Sequence, residues 1–136
     1  MLTMVNHKLL HPQEIETFYV IPTIRKHFAA ALIKQGMMQK DVAKIFGITT
    51  SSISQYTSKK RGNELEFTKD VLYEIENSAK KIKDQGSYIA ETQRLLRYIR
   101  TSKTICNIHK MFSDMPADCN PDAIGCGHST YKAMIK

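Results

Sequence analysis

The chain has 136 residues and a mass of 15.5 kDa, room for one domain or one domain with a small appendage. Apolar residues make up 42% and charged residues 24%, a balance that supports a buried core and excludes wholesale disorder or a collagen-like chain. No apolar run is long enough to span a bilayer, and Met1–Leu10 shows no secretory pattern, so a cytoplasmic protein with no membrane partner is expected. The net charge is +7 and the pI is near 9.4, which favours a polyanionic partner. The surplus is uneven. Residues 1–66 carry nine Lys and Arg against five Asp and Glu, and residues 106–136 carry three of each.

Apolar residues recur mostly at three and four, so the expected fold class is all-α. Glu14–Tyr19 reads as a short helix with Pro12 in its first turn. Pro22 then opens a helix to about Gln35, with Ile24, Phe28, Ala31 and Leu32 inward and Gly36 at its end. Gln39–Phe46 is a short helix ended by Gly47, and Thr50–Ser58 is another. Ser58–Glu66 reads as a polar linker. Thr68 can cap a helix over Lys69–Asp84, stopped by Gly86. Ser87 can cap a further helix that reaches as far as Phe112, with Ile89, Leu95, Leu96 and Ile99 inward. Met115–Thr130 is irregular.

The most informative stretch is Gln39–Ser58. A helix-turn-helix needs apolar residues where its two helices face the core, and Val42, Phe46, Ile48, Ile53 and Tyr56 occupy those places. It needs a small residue at the close approach, which is Ala43, and a residue tolerant of positive φ at the turn, which is Gly47. Thr49 or Thr50 can cap the second helix. That helix would enter the major groove with Thr50, Ser51, Ser52, Ser54, Gln55 and Thr57 outward. Gln55 suits an adenine edge, and the hydroxyls suit phosphates or base edges. No Arg on this helix can read guanine, so an A·T-leaning readout assisted by DNA shape is expected. Lys59, Lys60 and Arg61 follow directly and suit backbone phosphates, as do Gln39 and Lys40 at the start of the first helix.

The segment from Ile21 to Gly62 resembles a group of archaeal predicted transcriptional regulators with a helix-turn-helix of the phage-repressor (XRE) type. The matching residues are Ile21-Pro22, Ile24-Arg25, Gly36, Gln39, Val42-Ala43, Gly47-Ile48-Thr49, Ser54-Gln55-Tyr56 and Lys60-Arg61-Gly62. In that group a cysteine-bearing tail often follows, and Cys106 to His109 with the later cysteines looks similar. The resemblance implies a sequence-specific DNA-binding regulator. The last spacing here is C-x6-C, where a tight C-x-x-C ending is the expected form.

The tail holds all three cysteines, Cys106, Cys119 and Cys126, with His109 and His128 close by. An odd count does not read as a disulfide framework. Three soft thiolates beside imidazoles suit an iron–sulfur cluster, for which [4Fe–4S] is the expected form. Cys106, His109, Cys119 and Cys126 would equally make a closed zinc site. A metal-free tail, with a thiol–disulfide switch or buried cysteines, is the third alternative.

The expected organisation is a DNA-binding domain over residues 1–66, long helices over 67–112 that serve dimerisation, and a cysteine-containing tail over 113–136. Helix-turn-helix regulators usually bind two half-sites as two-fold dimers, so a homodimer on double-stranded DNA is expected. The function implied is transcription regulation, with a tail site that responds to redox state. The alternative is a non-sensing DNA- or RNA-binding module, an antitoxin or adaptor, with structural zinc. An enzyme is not expected, because no third group orients a Cys106–His109 pair.

Overall fold

The computed structural model describes residues 9–58, 61–62, 65–102, 104–114 and 119. Every regular element among them is helical. The chain forms two compact units, one from Thr17 to Leu95 and one from Met1–Glu16 with Leu96–Lys136.

The Thr17–Leu95 unit is built on α2, Ile21–Lys34. Pro22 lies in its first turn and offers no N–H to the carbonyl of Phe18. A wide π-helical turn over Glu16–Val20 precedes α2 and absorbs that irregularity. Ile24, Phe28, Ala29 and Leu32 are fully buried along α2. Ala31, expected inward, instead lines an open groove with His27, Leu72 and Ile75. After α2 come α3 (Gln39–Phe46), α4 (Thr50–Thr57) and α5 (Lys69–Ala79). Both α4 and α5 pack on α2, and α3 packs on α4.

Within Ser58–Glu66, expected to be a polar linker, two of the described residues are buried. Leu65 is 5% exposed, and the buried Gly62 has φ +76°. A Cβ at Gly62 would stand 2.7 Å from the carbonyl oxygen of Pro22, so the chain is pressed against α2 at this point.

Thr68 caps α5 through the N–H of Val71, as the sequence indicates, but the helix ends at Ala79 rather than Asp84. The N–H groups of Lys81 and Ile82 bond back only three residues, to Ser78 and Ala79, and this tight turn buries Ile82. Asp84 then takes the capping role expected of Ser87. Its Oδ1 accepts the N–H of Ser87 at 2.8 Å, and Ser87 Oγ accepts the N–H of Asp84 at 3.0 Å. These bonds from the Ser87 N–H and hydroxyl hold the Asp84 carboxyl below the usual carboxylate range. Gly86, expected to stop a helix, lies in the first turn of α6, Gln85–Thr101. Ile89, expected in the core, is 58% exposed. Arg94 on α6 bonds Glu74 of α5 and Glu91, each at 3.1 Å, and also meets Ser78.

In the second unit α1, Pro12–Ile15, packs on α7, Thr104–Phe112. The long helix expected to reach Phe112 is therefore two helices, and Cys106 lies on the second. Among the described residues of this unit, Ile15, Leu96, Ile99, Ile105 and Ile108 are buried. Arg100 pairs with Glu16, a carboxylate that is itself buried. No helix among the described residues is long and apolar enough to cross a membrane.

Gly62→Ala is expected to cost about 2–3 kcal/mol in urea unfolding, combining left-handed strain with the contact on Pro22. In Gly47→Ala the Cβ meets Gln85 Nε2 at an ordinary contact distance of 4.0 Å, and the change is expected to cost about 1 kcal/mol, from the positive φ.

His27 is half-buried beside Phe67, with ring centroids 6.3 Å apart. Burial first, and the charge of Lys26 second, hold its imidazole pKa below the usual value. Its stabilising contribution is therefore complete above about pH 6.5, the unfolded value, and is lost as pH falls through the lower folded value. Urea midpoints measured from pH 7.5 down to 5 are expected to fall less in His27→Gln than in the wild type.

Candidate nucleic-acid interface

α3 and α4 are joined by three residues, Gly47, Ile48 and Thr49. Gly47 is left-handed, at φ 69° and ψ 30°. Its N–H bonds the carbonyl of Lys44 at 3.3 Å, and the N–H of Ile48 returns to Ala43 at 3.1 Å. This is the Schellman pattern, in which a left-handed residue lets two main-chain donors close a helix end. Gln85 Nε2 donates to the Lys44 carbonyl at 2.9 Å and completes the closure. The chain can then turn sharply, and Thr49 starts α4: its Oγ1 accepts the N–H of Ser52 at 3.1 Å.

Most of the apolar residues named from the sequence hold this pair in place, while Ile48, expected to face the core, is half-buried. Val42, Ala43, Phe46, Ile53 and Tyr56 are all buried. Phe46 stacks on Tyr88, with centroids 4.3 Å apart and planes 11° apart. Arg25 Nε donates to the Tyr88 hydroxyl at 3.2 Å, and its guanidinium also meets the Tyr56 hydroxyl, so these two phenols gain polar partners at the α2 surface. Neither Tyr88 nor Gln85 was expected to support this pair. Both lie about forty residues downstream, and nothing local in the sequence points back to α3.

With Ile53 and Tyr56 inward, α4 turns Thr50, Ser51 and Ser54 to solvent, while Ser52, Gln55 and Thr57 are half-buried. Thr57 and Ser58 bond their hydroxyls back to the carbonyls of Ser54 and Gln55. Thr49 is committed to its cap. Gln55, expected to face outward, has a buried Oε1 with no hydrogen-bond partner among the described residues. Gln39 and Lys40 are exposed at the start of α3, which no side chain caps, and Asp41 stands in the same first turn. Arg61 is exposed and folds back onto α4, where its Nη1 donates to Ser52 Oγ at 3.4 Å. Lys59 and Lys60 lie outside the described residues. The described cations of the later helices include two groups. Lys80, Lys81, Lys83 and Arg97 are exposed, whereas Arg94 and Arg100 form the ion pairs described above.

Cys106 and His109 lie one turn apart on α7, Cys106 half-buried and His109 buried. His109 Nε2 bonds the carbonyl of Leu10, and because that oxygen can only accept, Nε2 carries the proton. Only Nδ1 of this ring can then serve as a ligand. Cys119 is half-buried, and Cys126 and His128 lie outside the described residues. Among the described residues, no group of three His, Cys, Asp or Glu gathers where it could hold a metal ion.

No family model, curated protein or solved structure matches the chain.

Thr49→Ala is expected to lower stability by about 1 kcal/mol in urea unfolding, through loss of the bond to the Ser52 N–H, whereas Thr49→Asp retains a cap.

Proposed function

We propose that this chain is a sequence-specific, DNA-binding transcription regulator that acts as a homodimer and lays α4 into the major groove of double-stranded DNA. The observation that carries the reading is the division of α4 into two faces. Ile53 and Tyr56 fix it to the body of the protein, and a row of short hydroxyl side chains faces outward. The tight left-handed turn before α4 and the cap on its first turn make the element rigid at the end that base edges would meet. The net charge of +7 supports a polyanionic partner, and the resemblance of Ile21–Gly62 to phage-repressor-type regulators supports the same assignment.

In this reading Thr50, Ser51 and Ser54 contact bases or phosphates directly. The uncapped N–H groups at the start of α3, with Gln39 and Lys40, take a backbone phosphate, and Lys59, Lys60 and Arg61 add further positive charge. A single module with about six to eight phosphate contacts loses most of its affinity at physiological salt, which is the physical reason for two copies on two half-sites.

The same proposal assigns Cys106, Cys119 and Cys126 to a [4Fe–4S] cluster, with zinc as the alternative occupant and His109 Nδ1 as a further donor in either case. Soft thiolate donors support that choice. A bound cluster would supply an oxidant-sensitive group. The protein's own part is to hold the sulfur donors, and α7 places Cys106 one turn from His109. Analysis of anaerobically purified chain for iron, acid-labile sulfide and zinc checks this assignment: about four irons per chain are expected. One zinc selects the alternative, and the absence of both overturns the site.

The test of the main reading is binding of the full chain to a randomised duplex pool, followed by affinity measurements on the selected sequence. Selection of one sequence is expected, with log K falling by about 0.9 per phosphate contact for each unit of log salt. Ser54→Asp places a carboxylate on the exposed face and is expected to weaken duplex binding at least about tenfold with unchanged unfolding, because like charges in contact cost several kcal/mol. Undiminished binding by Ser54→Asp would remove α4 from the interface.

A further inference from the structure

A guanine base is most often read by a cation that presents two donors to O6 and N7. None of the residues of α4 is a cation, so the helix by itself carries no such group. Gln55 was the candidate for adenine, and that contact needs both amide atoms, Nε2 donating to N7 and Oε1 accepting from N6. With Oε1 buried, Gln55 does not present both atoms to a base edge.

Arg61 fills this gap. It follows α4 in sequence, where a basic residue reads as a linker charge on phosphate, but its side chain runs back along the helix. Its main-chain N–H donates to the carbonyl of Gln55 at 3.2 Å. Its guanidinium carbon lies 5.9 Å from the centroid of the Tyr56 ring. Nη1 reaches Ser52 Oγ at 3.4 Å, a weak contact that a stronger acceptor can replace. Gly62 follows at once, held against Pro22, and so fixes where the chain leaves. Ser52 belongs to the first turn of α4, and helix-turn-helix proteins touch base edges with the N-terminal residues of the second helix. The exposed guanidinium thus stands beside the first turn of α4, on the flank that Ser52 shares with Tyr56.

We propose that Arg61 is a specificity-determining residue that reads guanine in the major groove, its side chain lying back beside the first turn of α4. The proposal rests on the reading of α4 as the groove helix. It replaces the A·T-leaning operator expected from the helix alone with one that carries a guanine at a defined position in each half-site. Lysine keeps the positive charge but lacks the planar fork that grips O6 and N7 together. A phosphate contact, by contrast, carries no sequence information.

Wild-type chain and Arg61→Lys are each used to select duplexes from a randomised pool, and affinities are then measured at one salt concentration. The two probes are the selected duplex and the same duplex with the guanine pair replaced by A·T. Arg61→Met, measured on both, shows the effect of removing the charge. The wild type is expected to lose about tenfold on the replaced duplex. Arg61→Lys is expected to bind both duplexes equally, and Arg61→Met to bind both equally but more weakly. Selective wild-type binding with no guanine at a fixed position overturns this proposal and leaves the groove-helix reading standing. So does an Arg61→Lys chain that keeps the full guanine preference. Failure of the wild type to bind any duplex overturns both.

Discussion

α4 has eight residues, too few to hold a helix in water by main-chain hydrogen bonds alone. It exists because Ile53 and Tyr56 are removed from solvent against α2 and α3. Fully burying side chains of this size contributes about 1.5–3 kcal/mol each. The rest of the Thr17–Leu95 unit follows from meeting that requirement. α2 supplies the surface, and Arg25 on α2 satisfies the Tyr56 and Tyr88 hydroxyls that burial would otherwise leave without partners. Phe46 closes the side by stacking on Tyr88, and Gln85 ties the end of α3 to the start of α6. Beyond the C-terminal end of α4, Gly62 is pressed on Pro22 of α2.

The sequence made α3, its glycine turn and α4 legible because every signal there is local. Gly47 has a backbone requirement, Thr49 has a cap within three residues, and the buried positions repeat at helical spacing. The misreadings fall where tertiary contacts decide. Ser58–Glu66 is polar on average, but burial depends on Gly62 and Leu65 rather than on the mean. Asp84 and Ser87 are both good caps, and the tight turn that buries Ile82 selects Asp84. Ile89 fits an inward stripe by spacing, and only the geometry of the neighbouring helices leaves it outside. Arg94 and Arg100 count toward the basic surplus, yet each meets a carboxylate on another element. Part of the basic surplus therefore holds the protein together and is not displayed.

The candidate interface divides in the same way. Thr50, Ser51 and Ser54 follow from helical periodicity once Ile53 and Tyr56 are inward. The direction of the Arg61 side chain does not, because it depends on contacts with Ser52 and Tyr56 that helical spacing does not encode. The shelter of the Gln55 amide oxygen is also invisible in a helical wheel, where this residue lies at the margin between the two faces.

The hydroxyls of Thr50, Ser51 and Ser54 make no hydrogen bonds among the described residues, whereas Thr49, one position earlier, is a structural cap. Folding and the proposed recognition thus fall to different residues of one short segment. After gene duplication, the outward positions are open to mutation while the scaffold stays the same. A descendant can acquire a new target by a few exchanges that the rest of the molecule does not register.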